Sequence, residues 1–167
     1  MEKEITEVYC GNGRGKTTLA FGQALRASSQ GKSVIIIQFL KGNERRELDF
    51  LEELDQLDIK IFRFEKMESC YDQLNEEEQA EEERNILNGL NFARKVIATQ
   101  ECDFLVLDEI LGLLDKHIAT VDMVVGLLKQ KDESMHLILT GNRVDPGILD
   151  YVDSVTTITT LGREQNS

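Results

Sequence analysis

Short apolar runs alternate along the chain with longer stretches in which apolar positions recur with helical periodicity. The apolar runs are EVYC (7–10), VIIIQFL (34–40), IKIFRF (59–64), FLVLDE (104–109), HLILTG (136–141) and SVTTIT (154–159). Short runs rich in β-branched residues are typical of strands that are buried on both faces of a parallel sheet. The pattern therefore predicts about six strands.

The stretches between these runs have the spacing of amphipathic helices. We predict helices over residues 16–30, 44–55, 76–100 and 120–131, and a short final helix after a turn at Pro146. In the third helix, Ile86, Leu90 and Ala93 recur at spacings that place them on one face. Asn75 and Glu78 have the spacing of a capping box at its start.

The order of these elements predicts the fold class. Strands that alternate with helices indicate an α/β domain, in which helices flank a mostly parallel sheet on both sides in three layers. Gly31 follows the first predicted helix and is a suitable C-terminal cap. Because no repeat, linker or change in composition divides the sequence, we expect a single domain over residues 1–167.

The charge and the hydropathy of the chain argue against nucleic acids and membranes as partners. The 167 residues include 19 Lys and Arg against 31 Asp and Glu, a formal net charge of −12. Since non-specific nucleic-acid binding comes from Lys and Arg, this charge argues against a nucleic-acid partner. No apolar run approaches the roughly 20 residues that cross a bilayer, and MEKEITEVYC lacks the features of a signal peptide. We therefore expect a cytoplasmic protein without a membrane partner.

The cysteines, the histidines and the acidic run do not indicate a metal site. Cys10, Cys70 and Cys102 show no C-x-x-C spacing, and the two histidines are far apart in the sequence. The acidic run EEEQAEEE (76–83) lies near the start of a predicted helix, where acidic side chains are favourable. The pattern favours a helix face that is exposed to solvent.

The stretch VYCGNGRGKTT (8–18) has the order strand, glycine loop, Lys-Thr and helix, which is the context of a phosphate-binding loop. Its spacing is one residue shorter than G-x-x-x-x-G-K-[ST], because Gly11 is only four residues before Gly15. Glycines allow backbone N–H groups to turn toward a phosphate, and the start of the helix favours the same anion. We predict a nucleotide site here.

Side chains next to the loop and at the end of a distant apolar run complete this predicted site. Lys16 supplies a positive charge, Thr17 can hold Mg²⁺ and Thr18 is a second hydroxyl. Asp108 and Glu109 end the run FLVLDE, where a carboxylate can bind Mg²⁺ directly or through water. A helix cap at Asp108 is compatible with that role. The two motifs predict ATP or a related nucleotide with Mg²⁺ or Mn²⁺, and they do not name the reaction.

Several segments together resemble a known family. GNGRGKTTLAFGQALRA, QFLKG, LVLDE, and ILTG followed by an Arg-Val-Asp-Pro segment are similar in order and spacing to the P-loop type of ATP:cob(I)alamin, or cob(I)yrinic acid a,c-diamide, adenosyltransferase. The resemblance extends from about residue 6 to about residue 157, and the family loop GNGKGKTT has the same shortened spacing. It implies a RecA-like P-loop NTPase fold. It also implies transfer of the 5′-deoxyadenosyl group of ATP to a Co(I) corrinoid, with tripolyphosphate as the leaving group.

The resemblance also implies roles for individual residues. ATP binding is expected to involve Gly11, Asn12, Gly13, Arg14, Gly15, Lys16, Thr17 and Thr18. Catalytic roles are expected for Lys16, Thr17, Arg26 and Glu109, and metal binding for Thr17 and Asp108. Arg26 matches a family arginine that reaches the phosphates, which here requires a side chain that extends back along the helix.

On the corrinoid side, the resemblance implies aromatic residues that pack on the lower face of the corrin and exclude the axial ligand. In FRFEKMESCYDQL (62–74) we expect Tyr71 in that position, with Phe64 behind it. The family also implies a homodimer and a flavodoxin-like reductant. Two segments depart from it: Asn142 separates Gly141 from Arg143 where relatives read TGR, and SVTTITTLGREQNS lacks the relatives' closing segment.

Two other functions stay open at this point. One is a P-loop phosphohydrolase or kinase of other specificity, whose products would be phosphate or ADP. The other is a non-catalytic module that binds ATP or a corrinoid without turnover. Since one fold supports many activities, the products distinguish these functions and the fold does not.

Overall fold

The computed structural model describes residues 3–41, 53 and 56–162. In these ranges six strands form one sheet: β1 (Thr6–Cys10), β2 (Val34–Gln38), β3 (Ile59–Arg63), β4 (Phe104–Asp108), β5 (His136–Thr140) and β6 (Ser154–Thr157). The strand order is β3-β2-β4-β5-β1-β6, and every neighbouring pair is parallel. The prediction of about six strands in a mostly parallel sheet is confirmed.

Helices connect the strands. They are α1 (Lys16–Ser29), α2 (Glu76–Thr99), α3 (Ile110–Asp115), α4 (Val121–Gln130) and α5 (Pro146–Leu149), with a 3₁₀ turn at Tyr71–Gln73. The helices α1, α2 and α4 agree with the predicted ones, and the predicted helix 44–55 lies outside the described residues. In the described part of the chain, no helix combines the length and the apolar character that crossing a membrane requires.

The alternation of side chains along the strands produces two separate cores. In β2, Ile35 and Ile37 belong to the core under α2, α3 and α4, whereas Val34 and Ile36 belong to the core under α1. Successive side chains of a strand point to opposite faces of the sheet, so each apolar strand supplies both cores. The sheet is therefore the middle of three layers, as predicted.

The caps of two helices follow from their sequences. Gly31 has φ +82°, and its N–H and that of Lys32 donate to the Ser28 and Ala27 carbonyls, which is a Schellman motif after α1. At the start of α2, the Glu78 N–H donates to Asn75 Oδ1 at 2.9 Å. The Glu78 carboxylate accepts from the Asn75 side-chain amide, so the reciprocal bond of a capping box goes to the side chain and not to the backbone.

Two predictions were wrong, at Pro146 and at Glu82, and one helix was not predicted. Pro146 is the first residue of α5 and does not precede it in a turn, because Asp145 caps that helix by accepting from the Gly147 N–H. Helix α3 was not predicted, since its residues continue an apolar run without a polar face. Glu82 is buried and does not face solvent: its carboxylate accepts from the backbone N–H groups of Lys66 and Met67.

The strand order places the nucleotide motifs at one edge of the sheet. Strand β5 lies between β1, which leads into the glycine loop, and β4, which ends at Asp108. Because all strands are parallel, their carboxyl ends meet at the same edge, where ligands of open α/β sheets bind.

Candidate functional site

The loop begins with a backbone turn at Gly11. Cys10 is the last residue of β1, and Gly11 follows it with φ +107°. A Cβ on Gly11 would lie 2.3 Å from the Ile158 carbonyl oxygen, which excludes any other residue type at this position. Gly11 thus makes the turn that starts the loop, in the shortened spacing that the sequence shows.

The loop ends at Gly15, which precedes α1 with φ +100° and has no side chain to cap the helix. The first bond of the helix runs from the Leu19 N–H to the Gly15 carbonyl at 2.8 Å. The amides of Lys16, Thr17 and Thr18 precede that bond and therefore have no partner within the helix. Together with the helix dipole, they form a site for an anion.

The Lys16 ammonium group lies inside the loop. Its Nζ donates to the carbonyl oxygens of Gly11 at 2.7 Å and Gly13 at 3.0 Å. These bonds hold the positive charge at the mouth of the loop, next to the amides at the start of α1.

Two other amides of the loop are engaged by the chain that follows β6. The Gly13 N–H donates to the Ile158 carbonyl at 2.9 Å, and the Arg14 N–H donates to Thr160 Oγ1 at 2.8 Å. In this conformation these two donors face residues 158–160. The amides at the start of α1 have no such partner within the helix and remain available to a phosphate.

The Thr17 hydroxyl and the Asp108 carboxylate face each other. Thr17 Oγ1 donates to Asp108 Oδ1 at 3.0 Å, although 91 residues separate the two in sequence. Lys41 Nζ lies 3.3 Å from Thr17 Oγ1 and 3.7 Å from Asp108 Oδ2. The structure thus brings together a hydroxyl, a carboxylate and a second lysine beside Lys16.

Asp108 is fully buried, and neighbouring strands supply its hydrogen bonds. Thr140 Oγ1, at the end of β5, donates to Asp108 Oδ1 at 2.7 Å. Gln38 Nε2, at the end of β2, donates to Asp108 Oδ2 at 3.2 Å. A buried carboxylate with such donors is held in one orientation. Asp108 is the last residue of β4 and does not cap α3, whose N-cap position is Glu109.

Glu109 lies beside this cluster in a left-handed backbone conformation, with φ +64°. Its N–H donates to Thr140 Oγ1 at 2.7 Å. Burial raises the pKa of the Glu109 carboxyl above its usual value of 4.5, and the positive charge of Lys41 offsets part of that shift. Glu109 is therefore an acid that protonates more readily than an exposed glutamate.

Arg26 is not brought to the loop within one chain. It lies exposed in the last turn of α1. Ten residues of helix place its backbone about 15 Å from that of Lys16 along the axis, which exceeds the reach of an arginine side chain. Asn12, Arg14 and Thr18 lie at the exposed rim of the loop.

Phe64 and Tyr71 lie on the α2 side of the sheet. The Phe64 ring is 5.4 Å from that of Phe92, so Phe64 packs against α2. The Tyr71 hydroxyl donates to Glu83 Oε1 at 2.5 Å, and Lys116 Nζ lies 5.9 Å from the centre of the Tyr71 ring. Burial and the bond to Glu83 raise the pKa of Tyr71 to about 12.

A cavity of about 300 Å³ lies next to α3. Leu111 and Ala119 form its buried part, and Arg143 and Asp115 lie at its mouth, with 3.4 Å between Arg143 Nη2 and Asp115 Oδ1. None of the described residues that line it belongs to the predicted nucleotide or corrinoid site. Arg143, which is displaced by one residue from the family position, therefore lies at this cavity and not at the loop.

Three site residues were not predicted from the sequence: Gln38, Lys41 and Thr140. Each lies at or just after the carboxyl end of a strand, within the segments QFLKG and ILTG. A polar residue that ends a buried apolar run is the signal that could have identified Gln38 and Thr140. Lys41 becomes recognisable only when the strand order is known.

A scan of family models and a comparison with curated proteins both gave matches. The family model described as "ATP:corrinoid adenosyltransferase BtuR/CobO/CobP" matches residues 2–165. A corrinoid adenosyltransferase of Escherichia coli (strain K12) is 31% identical over 160 residues, which cover 93% of this chain and 76% of that protein. Corrinoid adenosyltransferase CobA of Salmonella typhimurium is 29% identical over 158 residues, with the same coverage.

Among solved structures, the KaiC-like protein PH0186 from Pyrococcus horikoshii OT3 is similar in fold. Its TM-score is 0.60 at 18% sequence identity, over 93% of this chain and 71% of that one. At this level of identity the likeness concerns the fold alone. Together with the all-parallel sheet, it confirms the predicted RecA-like α/β architecture.

Proposed function

The chain belongs to the ATP:corrinoid adenosyltransferase family BtuR/CobO/CobP, and we propose that the loop at Gly11–Thr17 holds ATP for attack at its C5′ atom. The enzyme transfers the adenosyl group of ATP to a corrinoid. The observation that carries this function is the family match over residues 2–165, in a chain whose glycine loop faces Asp108.

The proposed reaction is a displacement at carbon. The Co(I) corrinoid, as substrate, supplies an electron pair that forms the cobalt–carbon bond to C5′. The C5′–oxygen bond breaks, and its electron pair leaves with tripolyphosphate. Because Co(I) is itself the nucleophile, the enzyme needs no Ser, Cys or His nucleophile. Its tasks are to position the reactants and to stabilise the charge of the leaving group.

The residues at the start of α1 are suited to the second task. The amides of Lys16, Thr17 and Thr18 have no partner within the helix and are available to an anion, and Lys16 adds a full positive charge. Arg14 and Lys41 add charge at the rim and beside Asp108. This local concentration of donors is what a polyphosphate leaving group requires in a chain whose net charge is −12.

The donor set at Thr17 and Asp108 fits Mg²⁺ or Mn²⁺. Both side chains offer oxygen atoms, which these hard cations prefer. Among the described residues, no group of three or more His, Cys, Asp or Glu could hold a metal by itself. That is expected where phosphate oxygens and water supply the other ligands. When bound, the cation would neutralise charge on the phosphates.

We propose Tyr71 as the aromatic residue on the lower face of the corrin. Its hydroxyl is committed to Glu83, and its raised pKa keeps the phenol protonated, so it would shield cobalt without ligating it. Phe64 packs on α2 and would support this segment from behind.

A homodimer, a flavodoxin-like reductant and a cytoplasmic location are further proposals. For the dimer, the face beside the edge strand β6 is a suitable surface. Leu149, Tyr151 and Val155 there remain 43%, 40% and 39% exposed. Sedimentation equilibrium measures the mass in solution and distinguishes a monomer from a dimer.

The experiment that tests the function is an anaerobic assay. Purified protein, MgATP and chemically reduced Co(I) corrinoid are mixed, and the products are separated. We expect a light-sensitive adenosyl-corrinoid and one tripolyphosphate for each. ADP or orthophosphate as the main product would instead show a phosphohydrolase or kinase. Binding of both ligands without product would show a binding module.

A further inference from the structure

Three polar side chains form a row across the sheet at the carboxyl edge. Gln38 is in register with Arg63 on one side and with Asp108 on the other. The Arg63 Nε–H donates to Gln38 Oε1 at 2.7 Å, and Gln38 Nε2 donates to Asp108 Oδ2 at 3.2 Å. The row therefore connects the end of β3 to the carboxylate that faces Thr17.

The amide of Gln38 is suited to this connection. The four residues before it in β2 are apolar and buried, and Gln38 itself is only 5% exposed. A buried amide is costly unless both of its ends are hydrogen-bonded. Here the carboxylate can only accept and the guanidinium can only donate, so a single orientation of the amide satisfies both neighbours.

A second connection joins the same two regions. The Leu40 N–H donates to the Glu65 carboxylate, and Leu40 has φ +60°. The next residue is Lys41, whose ammonium group contacts Thr17 and Asp108. Arg63 and Glu65, which flank Phe64, thus both contact the end of β2. Arg63 does so through Gln38, and Glu65 does so through the turn at Leu40 that precedes Lys41.

We infer that Gln38 is a positioning residue: it fixes Asp108 Oδ2 and ties it to Arg63 at the start of the segment that carries Phe64 and Tyr71. The inference rests on the proposed role of Asp108 in holding the metal of MgATP. Residues that orient a metal-binding carboxylate have large effects on metal affinity even though they do not contact the metal. Gln38 should therefore act on the contribution of Mg²⁺ and not on the binding of phosphate itself.

The test compares ATP affinity with Mg²⁺ and with EDTA. We define the magnesium gain as the ratio of the two dissociation constants, measured by calorimetry. In Gln38→Met, which keeps the side-chain length and removes both hydrogen bonds, we expect the gain to fall by about 10-fold or more. The affinity in EDTA should change by less than about twofold. Gln130→Met, at an exposed position of α4, is the control and should keep the full gain.

The far end of the row is tested with Arg63→Met. Because Arg63 acts through Gln38, its substitution should lower the magnesium gain in the same direction. The double variant should lose no more than Gln38→Met alone, since the two residues belong to one chain of contacts. Arg63 is not fully buried, so this variant keeps the test valid if Gln38→Met does not fold.

Two results would overturn the inference. One is an unchanged magnesium gain in both variants. This includes an equal loss of affinity in Mg²⁺ and in EDTA, which would indicate a purely structural role for Gln38. The other is the absence of a magnesium gain in the wild-type protein, in which case the proposed metal site fails and the inference fails with it. That failure appears in the wild type and is therefore distinguishable from a failure of the row alone.

Discussion

At the scale of single residues, helix α1 carries two cations in very different positions. Lys16 lies inside the loop and is fixed by two carbonyl oxygens. Arg26 lies on the same helix at its other end and is exposed to solvent. The family resemblance implied that both reach the phosphates, whereas the rise of an α-helix places their backbones about 15 Å apart within one chain.

Lys16→Ala and Arg26→Ala should therefore behave differently in ATP binding. We expect Lys16→Ala to weaken binding by about 10-fold to 100-fold, the scale of roughly 1.5–3 kcal/mol for a hydrogen bond to a charged group. Arg26→Ala should change the dissociation constant by less than about twofold. Isothermal calorimetry with MgATP measures both. A comparable loss of affinity in the two variants would show that Arg26 also contributes to phosphate binding.

Glu109 is expected to lower stability at neutral pH, because its charged form is partly buried. Its folded-state pKa is raised above 4.5, so the native state binds a proton more readily than the unfolded state. Stability due to this group thus increases as the pH falls through the raised pKa. Without ATP or metal, Glu109→Gln should melt a few degrees above wild type at about pH 7, where 1 kcal/mol corresponds to about 2–4 °C.

The difference in melting temperature between Glu109→Gln and wild type should shrink as the pH is lowered toward 4.5. Glu81→Gln, the same change at an exposed position on α2, should show no such trend. If the Glu109 variant melts below wild type at neutral pH, its carboxylate is stabilised by its neighbours and the direction of the pKa shift is wrong.

At the scale of elements, helix α1 carries the loop and ends in a Schellman motif. Gly31 has φ +82°, and open space surrounds the position that its Cβ would occupy. Gly22, in the middle of α1, also has open space at that position but has an ordinary helical backbone. The two glycines thus differ in backbone conformation and not in packing, so the same substitution at both isolates the effect of the backbone.

The same substitution at these two glycines should have opposite effects. We expect Gly31→Ala to lower the free energy of unfolding by about 1–2 kcal/mol, because alanine is disfavoured in the left-handed region. Gly22→Ala should raise it by about 0.5–1 kcal/mol, because alanine restricts the unfolded chain. Urea unfolding followed by circular dichroism measures both. Two changes of the same sign would contradict the assignment of Gly31 as the cap.

The segment that follows β3 presents Tyr71 next to α2. Tyr71→Ala should impair adenosylation from Co(II) corrinoid plus reductant more than adenosylation from preformed Co(I), because in the role proposed for Tyr71 its ring excludes the axial ligand. Tyr71→Phe keeps the ring and removes only the bond to Glu83, so it should remain close to wild type in both assays. Equal losses in the two assays for Tyr71→Ala would remove Tyr71 from this role.

At the scale of the whole molecule, local patterns predicted what depends on local sequence. Turn residues, strand ends and apolar runs each follow from the residue types at a few neighbouring positions. The sequence therefore predicted the glycine loop, Asp108 and most strands. Glu82 could also have been placed, since it lies four residues before Ile86 and so on the inward face of α2.

Contacts between distant segments could not be predicted in this way. The hydrogen bonds of Gln38 and Thr140 to Asp108 depend on which strands are neighbours, and that order is not encoded over a short window. The contact of residues 158–160 with the loop is likewise set by the position of β6 beside β1.

The position of β5 has a consequence for how the protein folds during its synthesis. The loop after β1 and the carboxylate after β4 belong to strands that are separated by β5, so they can come into register only when β5 has inserted between them. Such distant parallel pairings form late in folding. During synthesis, a growing chain that already contains both motifs therefore cannot bring them into register until residues 136–140 have left the ribosome. The alignment of the two motifs thus reports the insertion of β5, before β6 is added at the edge of the sheet.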